Sequence, residues 1–156
     1  MLLNFPDKEP FATGASTYDY RQASKNDRLS RIFVDIEIQG SQTSLITPAV
    51  LDTGGAYLIC PPDISTQLRL DPSDAYIREN ISIRGTRILG SLRRLNITFL
   101  AMQGENTEIE AIVFIPDPEQ VEEWTLPPYL GWTGCLERLR FAFDPLSDTF
   151  YFGPCS

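Results

Sequence analysis

The chain has 156 residues, 42% of them hydrophobic, with a formal net charge of −8 and no histidine. Its length fits one globular domain with a core of its own, and its scattered Lys and Arg give no basic footprint for a phosphate backbone, which excludes nucleic acid as a partner. Without histidine, Ser-His-Asp and Cys-His catalysis and histidine-ligated metals drop out, so any chemistry must run on carboxylates, Lys, Tyr or backbone groups.

Residues 1–28 are polar and interrupted by Pro, Gly, Ser and Thr; they read as a flexible, mostly non-regular arm, with the folded domain over 29–156. From Ile32 the pattern changes. Ile32, Val34, Ile36 and Ile38 alternate with Phe33, Asp35, Glu37 and Gln39, the period-two signature of a half-buried strand, and Gly40-Ser41-Gln42 turns into a second strand near 43–51. Pro61-Pro62-Asp63-Ile64-Ser65 opens a short helix to about Leu68. Strand signals resume over 76–83, break at Arg84-Gly85-Thr86 and continue through Arg87-Ile88-Leu89, which predicts a hairpin around Gly85. Two further alternating runs, Leu95 to Ala101 and Ile109 to Ile115, flank a turn at Gln103-Gly104-Glu105. A short helix is expected within 119–124, fenced by prolines, and another near 134–138; strands follow over 138–143 and 149–152. Short strands with one or two short helices predict an all-β sandwich or barrel.

No apolar run approaches the roughly 20 residues of a membrane span, and Met1-Leu2-Leu3 gives way at once to polar residues, so a soluble, cytoplasmic chain without stable membrane association is expected. Cys60, Cys135 and Cys155 are too few and too far apart for a disulfide framework or a zinc site, and no metal or cofactor is expected. Asn80-Ile81-Ser82 and Asn96-Ile97-Thr98 match the glycosylation pattern by chance, and Glu105, Glu108 and Glu110 read as a solvated strand face.

One charged residue resists explanation as a surface turn. Asp52 follows the apolar Ala49-Val50-Leu51, precedes Thr53-Gly54-Gly55, and is followed by a second apolar run, Tyr57-Leu58-Ile59-Cys60. A carboxylate carried at the end of a buried strand calls for a reason beyond turn formation. Val50-Leu51-Asp52-Thr53-Gly54-Gly55 resembles the active-site loop of aspartic proteases, and its single copy in a short chain resembles the retropepsin-like branch. The Gly85 hairpin stands where that family places its flap, Ile88-Leu89-Gly90 leads into the next strand, and Tyr129-Leu130-Gly131 occupies the place of its late apolar-apolar-Gly motif. The resemblance spans about Arg31 to Gly153.

It implies a retropepsin-like acid-protease closed β-barrel and an aspartic endopeptidase without cofactor. Catalysis would fall to Asp52, Thr53 and Gly54, with substrate held by Gly55, Ala56, Ile83, Arg84, Gly85, Thr86 and Ile88, and by Leu58 in an apolar pocket. Two carboxylates are needed, one to activate water and one, protonated, to polarise the scissile carbonyl; like charges that close cannot both ionise easily. No second Asp-Thr/Ser-Gly exists in the chain, so the resemblance implies a homodimer acting on a polypeptide substrate, with Asp52 of each subunit at the axis.

The sequence departs from the family in three places. Arg84-Gly85-Thr86 replaces a glycine-rich flap tip, and Trp132-Thr133-Gly134 stands where a polar residue and then Asp or Asn is usual. A terminal interface strand over 150–155 would contain Pro154, which cannot donate to a ladder. Two other readings stay open: a catalytically silent domain of the same fold used for peptide binding or assembly, and an unrelated β-barrel binder using Trp124, Tyr129 and Trp132. The polar arm is a candidate for lying in the cleft or for self-cleavage.

Overall fold

A computed structural model describes residues 3–120 and 124–155. In chain order the strands are β1 (Gly14–Thr17), β2 (Asp19–Arg21), β3 (Arg31–Gln39), β4 (Ser44–Leu51), β5 (Leu58–Ile59), β6 (Ile77–Ile83), β7 (Thr86–Phe99), β8 (Gln103–Gly104), β9 (Thr107–Pro116), β10 (Tyr129–Leu130), β11 (Leu139–Asp144) and β12 (Thr149–Pro154). One α-helical turn, α1 (Ile64–Gln67), and 3-10 turns at Pro72–Asp74, Pro118–Gln120 and Leu136–Arg138 complete the described elements. The fold is all-β. Of the helix expected over 119–124, residues 121–123 lie outside the described residues.

One sheet has eight strands in the order β2-β3-β4-β10-β5-β9-β7-β6, and β3 also pairs with β7. That extra pairing, Ile36 opposite Phe99 through Ile38 opposite Ile97, closes β3, β4, β10, β5, β9 and β7 into a ring and removes their free edges. Val34, Ile36 and Ile38 of β3 point into the ring beside Ala49, Leu58, Ile97, Phe99, Ala111, Val113 and Leu130, all buried. The period-two pattern is thus spent on filling a barrel. Phe33 faces the other way yet is only 3% exposed, because β2 crosses it and lays the Arg21 guanidinium 3.8 Å from its ring centre.

A smaller four-stranded sheet, β11-β12-β1-β8, packs Phe150 and Phe152 onto Phe99 with ring centroids near 6 Å. Residues 1–28, expected to be mostly non-regular, supply two of the strands: Gly14–Thr17 pairs with β12 and, in part, with β8, and Asp19–Arg21 pairs with β3. Their burial follows from small side chains, since Ala12, Gly14 and Ala15 fit where the chain passes close to Phe152. The expected turn at Gln103–Gly104 is instead the edge strand β8. The terminal strand is paired by β11 along Thr149–Pro154 on one side and by β1 over residues 149–152 on the other, so within the chain it already serves the small sheet.

β7 is a single long strand rather than two short ones. Its first half pairs with β6 to make a hairpin that projects from the barrel, and its second half pairs with β9 and β3 inside it. Gly90 permits this: a Cβ there would lie 2.4 Å from the Ile115 carbonyl oxygen and 2.6 Å from the Phe114 ring.

Candidate functional site

Asp52 begins where β4 ends. β4 and β5 are consecutive in the chain but do not pair; β10 inserts between them, parallel to β4 and antiparallel to β5. The segment 52–57 therefore has to arch over the end of β10. The Asp52 amide donates to the Leu130 carbonyl at 2.9 Å, fixing the acid at the strand end, and the Gly55 amide closes a turn onto the Asp52 carbonyl at 3.1 Å. The Gly54 amide donates to Asp52 Oδ1 at 3.2 Å. A Cβ on Gly55 would come within 3.1 Å of Oδ2, so a side chain there would crowd the acid.

The returning segment 129–134 crosses this arch at close quarters. The Gly131 amide donates to the Tyr57 carbonyl at 2.8 Å, the Trp132 amide to the Gly55 carbonyl at 2.7 Å, and the Tyr57 amide to the Thr133 carbonyl at 3.0 Å. Only glycine fits at 131, because a Cβ would sit 2.4 Å from the Tyr57 oxygen and 2.7 Å from the Ala56 carbonyl carbon. Tyr57 itself has φ +63°, a left-handed conformation this crossing imposes. Burial first, and then the Glu79 carboxylate on β6, push its hydroxyl above the ordinary range. Beyond Gly134, whose amide donates to Glu137 Oε1 at 3.0 Å, the turn at 136–138 is braced by Glu137. That carboxylate lies three residues past Gly134.

Above the acid stands the β6–β7 hairpin. Ile83 pairs with Thr86 around a two-residue tip, Arg84 with φ +51° and Gly85 with φ +81°. Two successive left-handed residues give the tight turn that matches strand twist; it suits glycine and strains arginine by about 1–2 kcal/mol. The Arg84 side chain reaches back across the opening. Its Nη2 donates to the Tyr129 hydroxyl at 2.9 Å and to Asp27 Oδ1 at 3.0 Å. The Tyr129 hydroxyl first, and Asp27 with it, hold the guanidinium above its ordinary value.

Between hairpin and loop lies a cleft of about 510 Å³. Of the residues singled out in the sequence, Asp52, Gly54, Gly55, Ala56, Ile83 and Arg84 line it together. Thr53, Gly85 and Thr86 are exposed at the tips of the loop and the hairpin, outside the lining. Ile88 and Leu58 are elsewhere: Ile88 is 6% exposed in a small core with Leu92 and Phe114 beneath the hairpin, and Leu58 is wholly buried in the barrel. The walls also include Asp27, Arg31, Ile59, Ile81, Ser82, Trp124, Leu126 and Tyr129. Of these, Ile59 lies between the buried Leu58 and Cys60 and Ile81 alternates with the exposed Asn80 and Ser82, so both were open to a period-two reading, whereas Asp27 and Arg31 lie far off in sequence and carry no motif. Trp124 packs against the small core and donates to the Leu126 carbonyl at 2.9 Å; Trp132 stays 45% exposed beside the acid loop.

Among the described residues no group of three or more Cys, Asp or Glu side chains could hold a metal ion, and no helix is long and apolar enough to cross a membrane. The sequence matches no family model and no curated protein. Among solved structures the chain is similar to a retropepsin-like aspartic protease from Rickettsia conorii, at 15% sequence identity and a TM-score of 0.49, with 89% of each chain covered.

Proposed function

We propose that this chain is a retropepsin-like aspartic endopeptidase, active as a two-fold homodimer in which the Asp52 carboxylates of two subunits meet. The observation that carries the reading is the mounting of Asp52: an acid at the end of a barrel strand, accepting from the Gly54 amide, on the wall of a cleft roofed by a hairpin. Among the described residues Asp27 is the other carboxylate lining that cleft, and it is paired with Arg84, which supports a second acid supplied by another chain. Thr53 and Gly54 are exposed at the tip of the loop, where a second copy could reach them.

In the dimer one Asp52 carboxylate takes a proton from a water held between the pair while the other, protonated, hydrogen-bonds to the scissile carbonyl oxygen. The resulting hydroxide adds to the carbonyl carbon, and negative charge on the oxygen is neutralised by the protonated acid. Collapse of the tetrahedral intermediate breaks the C–N bond as the leaving nitrogen takes up a proton. The substrate lies extended beneath the hairpin, bonding through its main chain. Neither metal nor cofactor enters this chemistry.

The test is cleavage of a denatured-protein peptide library by the wild-type chain, by Asp52→Asn and by Asp52→Ala, with and without a statine-type inhibitor. Cuts that disappear in both variants and with the inhibitor are expected. Cuts that persist in Asp52→Ala would sink the proposal. A second reading, a silent peptide-binding domain of the same fold, is favoured by the ion pair that closes the cleft; peptide binding without cleavage by a demonstrated dimer would select it.

A further inference from the structure

The Arg84–Asp27 contact joins parts of the chain that are far apart in sequence. Asp27 lies in the turn between β2 and β3, and Arg84 at the hairpin tip, yet the Asp27 side chain is only 7% exposed. Its turn is held by itself: the Asp27 amide donates to the Ser24 carbonyl at 3.2 Å, Gln22 Nε2 to the Asp27 carbonyl at 2.9 Å, and the Ala23 amide to Oδ2 at 3.1 Å. The turn would therefore keep its shape without Arg84.

Arg84 is used incompletely. A guanidinium offers five N–H donors in a planar fork suited to bidentate pairing with a carboxylate. Among the described residues a single nitrogen, Nη2, serves both Asp27 and Tyr129, and the side chain remains 42% exposed. The space around it has a matching shape. A second cavity, of about 630 Å³ and lined by Ser24–Asn26 and Thr125, lies on the far side of Arg84 from the Asp52 cleft, and the two share Arg84, Trp124 and Leu126. Arg84 thus stands between the two cavities, together with Trp124 and Leu126, and Asp27 holds it from the side of the Asp52 cleft.

We propose that Arg84 and Tyr129 form a carboxylate-binding subsite of the cleft, that Asp27 fills it in the resting chain, and that an extended peptide with an acidic side chain displaces Asp27 to bind there. The proposal rests on the reading of the cleft as a peptide site, and it names the class of peptide. Exchange replaces one monodentate bond to Asp27 by a bidentate one to the ligand, and Arg31 on the same cleft adds to the attraction for an acid.

The test uses the full chain carrying Asp52→Asn, so that nothing is cut, and two extended peptides identical except for one Glu or Gln. Binding is followed by calorimetry and by the fluorescence of the chain's tryptophans. With Asp27→Asn added, the Glu peptide is expected to bind about tenfold tighter while the Gln peptide changes little, and amide exchange at 83–86 to quicken. Adding Arg84→Gln instead removes the preference for Glu. Asp27→Ser, which like Asn keeps an acceptor for the Ala23 amide, provides a second variant. Equal binding of the two peptides to the Asp27 variants, a Glu preference that survives Arg84→Gln, or no binding to any form would overturn the proposal. Cleavage by the Asp52-intact chain is scored separately. Glu-selective binding without cleavage removes the enzymatic reading and leaves the subsite, whereas cleavage without Glu selectivity does the reverse.

Discussion

Replacing Gly131 by alanine should be the most damaging of the glycine substitutions at the site. The new Cβ would lie 2.4 Å from the Tyr57 carbonyl oxygen and 2.7 and 2.9 Å from the Ala56 carbonyl carbon and oxygen, all backbone atoms. Restoring an ordinary contact means parting the two segments by about 1 Å. That would stretch the bonds from Gly131 to Tyr57 and from Trp132 to Gly55, now 2.8 and 2.7 Å, beyond hydrogen-bonding range. Losing two such bonds costs about 1 kcal/mol each, and the overpacking adds about 1–3 kcal/mol, giving a loss of roughly 3–5 kcal/mol. For a domain of this size, Tm would fall by roughly 6–20 °C. Two companions set the scale. Gly85→Ala meets no atom within 4 Å but must hold φ near +81°, at about 1–2 kcal/mol, and Gly54→Ala, whose nearest neighbour is Asp52 Oδ1 at 3.6 Å, should be close to neutral for folding. Urea unfolding followed by circular dichroism measures all three. A Gly131→Ala chain within about 1 kcal/mol of wild type, or a Gly54→Ala chain less stable than it, would refute the crossing as the source of the constraint.

Asp52→Asn should abolish cleavage while moving the urea midpoint little, because the half-exposed acid serves the barrel only through its backbone; a large loss of stability would make Asp52 a structural residue. Thr53→Ala, at an exposed loop tip, should weaken dimerisation in sedimentation without lowering monomer stability. Burial raises the Cys60 thiol and pushes Cys135 up to about 12 from an ordinary 9.0. Both are raised in the folded state, so their contribution is fully present below pH 9 and is lost as pH climbs from 9 towards 12, by up to about 1.4 kcal/mol per pH unit for each thiol. Urea titrations at pH 8, 9.5 and 10.5 should show that decline, and a Cys60→Ala, Cys135→Ala chain should show less of it. In native protein at pH 8, maleimide should label Cys155 alone; prompt labelling of Cys60 or Cys135 would mean that the barrel opens easily.

The barrel strands were legible because each buries one face. Ile32 to Ile38 and Ile109 to Ile115 alternate as half-buried strands must, and the left-handed Gly85 marked the hairpin tip. The acid loop was legible through Asp52 and its glycines. Less visible were strands made of small residues: Gly14-Ala15-Ser16-Thr17 has no apolar period, and its burial depends on Phe152, remote in sequence. Ile88 was assigned to the cleft because it follows the flap glycine. β7 is continuous there, and its twist turns that side chain onto Phe114 instead. Asp27 escaped notice for a different reason. A lone Asp in a polar run has no local signature, and its partner Arg84 lies across the cleft.

The insertion of β10 between β4 and β5 also bears on when the site can come into being. β4 and β5 are bridged only when β10 arrives, placing Leu130 opposite both Leu51 and Leu58, so the arch carrying Asp52 is completed by a late segment of the chain. Closing so long a loop is entropically slow, and the pairing is of high contact order. During synthesis, the chain up to Pro128 has the acid and its local turn but not the Leu130 carbonyl that fixes the Asp52 amide. Folding order alone would then leave the Asp52 arch incomplete until most of the barrel has been made.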